Sequence, residues 1–207
     1  MLFQFVELKK HISRKIVGVL HIGAHECKEL NAYVKEEIVP EKIYWIEALT
    51  ELVEENKKKG IVNIFQGVVD KKDNAKCIFN VTKDDVKYSS LLVNDNEGNV
   101  GEQRLVKTVR MDTLIHIHNI QMMNVNYLHV DIGGTELRAI KSMKSFMHHI
   151  DYVYVSVNTL SYMGDTIFDI DFFLKKYGLH RVCEKVNKCS GKGEAFYSRS
   201  QNFGPIR

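Results

Sequence analysis

Proline is nearly missing: Pro40 and Pro205 are the only two, so no proline-rich linker divides the chain. No stretch comes near the roughly 18 consecutive apolar residues of a membrane-spanning helix, so no membrane association is expected. Neither sign of charge dominates, with 29 Lys and Arg against 26 Asp and Glu and a formal net charge of +3. That balance permits an anionic partner but lacks the dense basic stripe of nucleic-acid-binding domains, so nucleic acid is not favoured. Met1 to Leu20 is interrupted by Glu7, Lys9, Lys10, His11, Arg14 and Lys15. It therefore lacks the apolar centre of a secretory signal, and a cytoplasmic location is the expectation. Cys27, Cys77, Cys183 and Cys189 include no CxxC pair, and a chain of this size does not need disulfides. Free thiols are expected. The pairs His116/His118 and His148/His149 share no face with a third ligand, so no metal cluster is expected from them.

What is present is ordinary for a globular protein: 44% hydrophobic and 27% charged residues. At 207 residues the simplest organisation is one domain spanning 1–207, large enough to bury a full core. Ile16 to Ile22 reads as a buried strand. Glu26 to Glu37 carries Leu30, Tyr33 and Val34 at helical intervals, continued by Ile38, and Pro40 ends it. Ile43 to Glu47 is the next strand. Thr50 is placed to cap a helix running to Lys59 and stopping at Gly60. Ile61 to Val69 gives a third strand, and the β-α-β-α-β rhythm implies a parallel sheet with crossover helices.

The rhythm then breaks. Ala75 to Val81 and Val106 to Arg110 read as strands around a polar excursion at about 82–104, which is expected to pass over the ligand side of the sheet. A short helix near Asp112 to His118 follows, then a strand at Tyr127 to Asp131 and a helix at Thr135 to Phe146. Another strand, Tyr152 to Val157, and a helix, Asp165 to Tyr177, lead to Gly178. Leu179 to Val186 and Ala195 to Ser198, joined through Gly191-Lys192-Gly193, are expected to pair antiparallel at a sheet edge.

Open α/β sheets bind ligands beyond the carboxyl ends of their strands, and several ends here carry candidate chemistry. After the first strand, Gly23-Ala24 lets backbone approach a ligand closely. The dinucleotide fingerprint has three glycines, whereas Gly23-Ala24-His25-Glu26-Cys27-Lys28 has one. A phosphate-free cofactor such as S-adenosylmethionine fits better than a pyrophosphate, a plain tight turn being the structural alternative. Glu47 ends the second strand and offers two acceptor oxygens to a ribose diol. Trp45, on its face, reads as core. Asp70 stands where an adenine amino group would be accepted, or else is a solvated acid in the turn Asp70-Lys71-Lys72-Asp73. Asp131 ends the fourth parallel strand beside the expected switch point, where a carboxylate can orient a nucleophilic hydroxyl, hold a cofactor amino group or bind a metal. Glu136, one turn on, is placed to cap its helix. His25 and His129 each neighbour a strand end. His129 is a candidate base because imidazole titrates near neutral pH, with a satisfied structural histidine as the alternative.

Taken together, these segments resemble the FkbM-type S-adenosylmethionine-dependent methyltransferases from about Ile16 to Ser198. His21-Ile22-Gly23-Ala24-His25 is similar to the family's D-x-G-A-N/H loop, Trp45-Ile46-Glu47-Ala48 to its ribose-binding strand end, and Val68-Val69-Asp70 to its A-V-S-D segment. Ser89-Ser90-Leu91 resembles S-S-L, and Val106 to Leu114 resembles V-x-x-x-R-L-D-T-L. Leu128 to Glu136 resembles L-D-x-x-G-x-E, and Gly193-Glu194-Ala195-Phe196-Tyr197 the G-D-A-L-Y ending. The resemblance implies an α/β, Rossmann-like class I methyltransferase fold: a mostly parallel seven-stranded sheet with an antiparallel edge hairpin and helices on both faces. It implies S-adenosylmethionine as cofactor and a small-molecule hydroxyl acceptor, such as a sugar. The implied cofactor-binding residues are His21, Gly23, Ala24, His25, Glu26, Glu47, Ala48, Val69, Asp70, Ser90 and Asp131. By the resemblance Asp131 faces the sulfonium and the acceptor, and Asp131 or His129 is the candidate to assist the proton.

The chain departs from the pattern at four places. His21 stands where the family has an acid, leaving Glu26 or Asp131 to meet the cofactor amino group. Cys27 replaces a glycine, Gly133-Gly134-Thr135 follows Asp131, and Ser156 replaces an acid near the acceptor. Two other functions therefore stand beside an active O-methyltransferase: a methyltransferase-like binding or scaffold protein without catalysis, and an RNA 2′-O-methyltransferase.

Overall fold

The computed structural model describes residues 4–82, 90–92, 100–160 and 164–199. Ten strands occur among them: β1 (Val19–Ile22), β2 (Ile43–Glu47), β3 (Ile64–Gln66), β4 (Val68–Val69), β5 (Lys76–Thr82), β6 (Val100–Val109), β7 (Tyr127–Val130), β8 (Tyr152–Asn158), β9 (Leu179–Val186) and β10 (Lys192–Arg199). Six α-helices accompany them: α1 (Phe5–Leu8), α2 (Leu30–Lys35), α3 (Thr50–Lys58), α4 (Met111–Ile117), α5 (Glu136–Ser142) and α6 (Ile167–Lys175).

Seven strands form one sheet in the order β3-β2-β1-β7-β8-β10-β9, and β4-β6-β5 form a smaller one. Neighbours from β3 through β8 run parallel, while β10 is antiparallel to both β8 and β9. The chain winds outward from β1 to β3, then returns to the other side of β1 with β7. The reversal lies between β1 and β7, the place where such sheets bind ligands. Strands β1 and β7 are buried at every residue, as a sheet covered on both faces requires.

Alternation sorts these strands into two cores. Leu20, Ile22, Leu128 and Val130 face the layer of α4, α5 and α6, through Leu114, Ile140 and Ile170. Val19, Trp45 and Tyr127 face the opposite layer, through Phe5, Tyr33 and Val53 of α1, α2 and α3. A third, small cluster of Leu49, Leu52, Val68, Phe79 and Val81 joins α3 to the second sheet.

Three sequence expectations are corrected. The run Ile61–Val69 is two strands, because the chain leaves the main sheet at Gly67: β3 pairs with β2, whereas β4 pairs with β6. The expected excursion at 82–104 includes ordered strand, since β6 begins at Val100 and pairs with β5; residues 83–89 and 93–99 of it lie outside the described residues. Thr50 is the first residue of α3 and makes no side-chain cap; Leu49 holds the cap position.

The two histidines share the α2-facing side. Their rings stack at 3.8 Å between centroids, as the register His21 beside His129 dictates. The Tyr33 hydroxyl lies 3.0 Å from His21 Nδ1 and 2.7 Å from His129 Nδ1. A hydroxyl has one proton to donate, so one ring accepts it at Nδ1 and the other donates from Nδ1. Burial holds both rings neutral, lowering His21 to about 3 and His129 well below its ordinary value. Replacing Tyr33 with Phe leaves the Nδ1 atom of each imidazole without its partner in a dry layer. The expected cost is about 1–3 kcal/mol of stability in denaturant unfolding, and a variant as stable as the wild type would refute the shared bond.

Candidate active site

The site begins where β1 ends. Gly23 has φ +90°, and a Cβ there would overlap the backbone carbonyl oxygen of Asp131. The N–H groups of Gly23 and Ala24 both donate to the Ile46 carbonyl, at 2.9 and 3.0 Å, and Asp131 donates to Ile22 at 2.9 Å. The ends of β1, β2 and β7 are thereby laced together. His25 and Cys27 also have positive φ, 46° and 53°, so the turn coils tightly before α2 begins at Leu30. That coil is why the expected helix from Glu26 starts four residues late.

Glu47 is the acid at the end of β2 and is 7% exposed. Its Oε2 accepts the His25 N–H at 2.8 Å and its Oε1 the Leu49 N–H at 2.9 Å. Burial raises its carboxyl above the usual range, and those two N–H groups pull the other way. Each oxygen accepts more than one hydrogen bond when ionised, so the carboxylate retains acceptor capacity toward the cleft it lines. The turn is held from behind by Asn56, whose Nδ2 donates to the His25 carbonyl at 2.6 Å.

Gly23, His25, Glu47 and Asp131 share one cleft at the carboxyl ends of the strands, with about 550 Å³ of space including its open mouth. Its far wall is apolar: Ala48, Val68, Val69, Phe79 and Leu91. Leu91 arrives there on a short strap. Ser90 exchanges backbone hydrogen bonds with Asn80 at 2.9 and 3.0 Å, and its Oγ donates to the Gly133 carbonyl at 2.9 Å. Ser90 thus positions the wall rather than lining it.

On the other side Asp131 is exposed, and Ser156 Oγ donates to its Oδ1 at 2.7 Å. The pairing of β7 with β8 makes this bond, since Val130 lies beside Val155 and the next residues follow in step. Asn158, two residues beyond Ser156, holds the following turn through its Nδ2 to the Asp165 carbonyl at 2.9 Å.

Six residues singled out in the sequence do not line this cleft: Ser90, Ala24, which is buried in the α2-facing core, and His21, His129, Glu26 and Asp70. His21 and His129 are 2% and 3% exposed and occupied with Tyr33, which removes His129 from any catalytic contact. Their place was concealed by the strand ends beside them, although both alternate in phase with the core residues Val19 and Tyr127. Glu26 points to solvent and pairs with Lys28 at 2.8 Å. Asp70 caps its own turn through Oδ1 to the Lys71 N–H at 2.7 Å. Glu136 does more than cap its helix. Besides its own N–H it accepts the Ile132 and Gly134 N–H groups, at 3.2 and 3.0 Å. Among the described residues no three His, Cys, Asp or Glu side chains converge to hold a metal, and no helix is long and apolar enough to cross a membrane.

No protein-family model and no curated protein matches the chain. Solved structures do. A methyltransferase FkbM from Methylobacillus flagellatus superposes with a TM-score of 0.56 at 10% identity, over 87% of this chain and 43% of that one. TrmK from M. capricolum, in complex with S-adenosylhomocysteine, superposes with a TM-score of 0.52 at 9% identity, over all of this chain and 72% of that one. The chain spans less than half the length of the FkbM protein. With the strand order and the antiparallel β8-β10-β9 edge, these likenesses define a Rossmann-like class I methyltransferase fold.

Gly23→Ala tests the contact at the centre of the cleft. The added methyl collides with the Asp131 carbonyl in a backbone region that side chains rarely adopt, so a loss of about 2–4 kcal/mol is expected in denaturant unfolding. Unchanged stability would show that β1 and β7 do not meet there.

Proposed function

We propose that this chain is an S-adenosylmethionine-dependent O-methyltransferase of the FkbM type, acting on a hydroxyl of a sugar or another small molecule. The observation that carries the reading is Glu47. Its carboxylate is anchored by the His25 and Leu49 N–H groups beside the Gly23 turn and faces a cleft with an apolar far wall. A ribose diol matches the acceptors, and an adenine ring matches the wall of Ala48, Val68, Val69, Phe79 and Leu91. Gly23 lines the methionine end in this reading, with Asp131 nearby to meet the acceptor. His21, buried with Tyr33 and His129, has no part in holding the cofactor, and neither has Glu26.

Bound S-adenosylmethionine supplies an electrophilic methyl group. The chain's own residues supply position and a proton acceptor. Asp131 takes the proton from the acceptor hydroxyl as its oxygen becomes the nucleophile, and Ser156 holds Oδ1 so that Oδ2 is left for that contact. Holding both partners in the cleft contributes by proximity. His129 is not the base, since it is buried and has no contact with the cleft.

A second reading, a binding or scaffold module without catalysis, draws on that same Ser156 bond, which occupies one oxygen of the candidate base. Calorimetry with S-adenosylhomocysteine separates the readings from an unrelated function. The wild type is expected to bind, and Glu47→Ala to weaken binding by roughly a hundredfold, as for lost charged hydrogen bonds. Absence of binding by the wild type would refute both. Methyl transfer to any member of a hydroxyl-acceptor panel would exclude the scaffold, and Asp131→Asn is expected to abolish that transfer while retaining binding.

A further inference from the structure

The loop Asp131–Gly134 is met by three separate parts of the chain, each at a backbone carbonyl. The Asp131 carbonyl lies against Gly23, where a Cβ would overlap it. The Gly133 carbonyl accepts Ser90 Oγ at 2.9 Å. The Gly134 carbonyl lies against Gly164, where a Cβ would also overlap it. The turn after β1, the strap that carries Leu91 and the segment leading into α6 therefore take their positions from four residues.

The loop's N–H groups are held differently. Asp131 donates to Ile22 within the sheet. Ile132 and Gly134 donate to one side chain, Glu136: Oε1 accepts both, at 3.2 and 3.0 Å, and Oε2 accepts Gly134 at 3.0 Å. Glu136 is 4% exposed, so water does not substitute for it. Aspartate is one methylene shorter, and glutamine offers one acceptor oxygen where this arrangement uses two.

We propose that Glu136 is a positioning residue that fixes the Asp131–Gly134 loop, and through it the register of the cofactor turn, the strap and the acceptor-side segment. Its effect on ligand affinity rests on the cofactor reading above; its effect on the loop rests on the geometry alone.

The surroundings give the arrangement a pH dependence. Burial raises the carboxyl to about 7, the N–H groups of Gly134, of Glu136 itself and of Ile132 oppose that, and Asp131 raises it further. On α5 and α6, Lys141 and Asp169 act on each other, Asp169 being bonded to Thr166. Helix α4 meets α5 at its other end, where Asp112 pairs with Arg110 and Lys144. The folded chain keeps this proton where the unfolded chain releases it near 4.5. The group thus adds global stability in acid and ceases to do so as pH rises through about 7. Its hold on the loop runs the other way, because the ionised carboxylate is the better acceptor.

Hydrogen exchange on the ligand-free protein tests this. In Glu136→Gln the Ile132 and Gly134 amides are expected to exchange about tenfold faster, with Leu128 and Val130 of β7 unchanged. In the wild type, protection of the same two amides, corrected for intrinsic exchange, is expected to increase from about pH 6 to about pH 8, and in the variant to stay flat. S-adenosylhomocysteine is expected to bind the variant roughly tenfold more weakly. Unchanged exchange at Ile132 and Gly134, or equal acceleration throughout β7, would overturn the role of Glu136. If the wild type binds no S-adenosylhomocysteine at either pH, the cofactor reading fails and the exchange result still decides the loop.

Discussion

The pairing of β1 with β7 is the constraint from which the rest follows. Two strands far apart in sequence lie side by side in parallel, and each ends in a turn that needs space where the other ends. Gly23 meets that need by presenting no side chain to the Asp131 carbonyl. The same register aligns His21 with His129 one layer below. A cleft at the strand ends and a sealed polar cluster beneath it are thus two products of one alignment.

The cluster shows how a polar residue can be part of a core. Tyr33 reaches up from α2 and gives both imidazoles a partner within a layer that includes Phe5, Trp45, Tyr127, Tyr152, Tyr154 and Phe196. An acid at position 21 in that layer would face the penalty of burial. Neutral imidazoles avoid the penalty, because burial pushes both of their pKa values down and away from the physiological range. The substitution that departs most from the resemblance is therefore consistent with the packing around it.

Much of the sheet was legible in the sequence because its parallel strands are short apolar runs broken by glycine, proline or an acid; β2 was read to the residue. What escaped reading depends on pairing across the chain. Gly67 looks like one residue within a single run from Ile61 to Val69, and only the partners on either side reveal a change of sheet. The start of β6, Val100 to Gln103, is polar and alternates poorly; β5 imposes its extended form from alongside. Glu47 was legible because its position at a strand end matters more than its neighbours. Asp70 had the same position but spends its carboxylate on the adjacent turn. Glu136 was visible as an acid at a helix start, while its partners Ile132 and Gly134 lay backward in the loop, a direction that helix-capping patterns do not encode.

Strand β10 lies between β8 and β9 although it follows both in the chain. Strand β9 therefore has no place on the growing sheet until β10 exists to carry it. The two pair through a short local connection, Asn187 to Gly191, so closing the hairpin costs little chain entropy. Order in the chain and order in the sheet diverge at this edge: the outermost strand is carried by the last one, whose Tyr197 and Phe196 each reach one of the two cores.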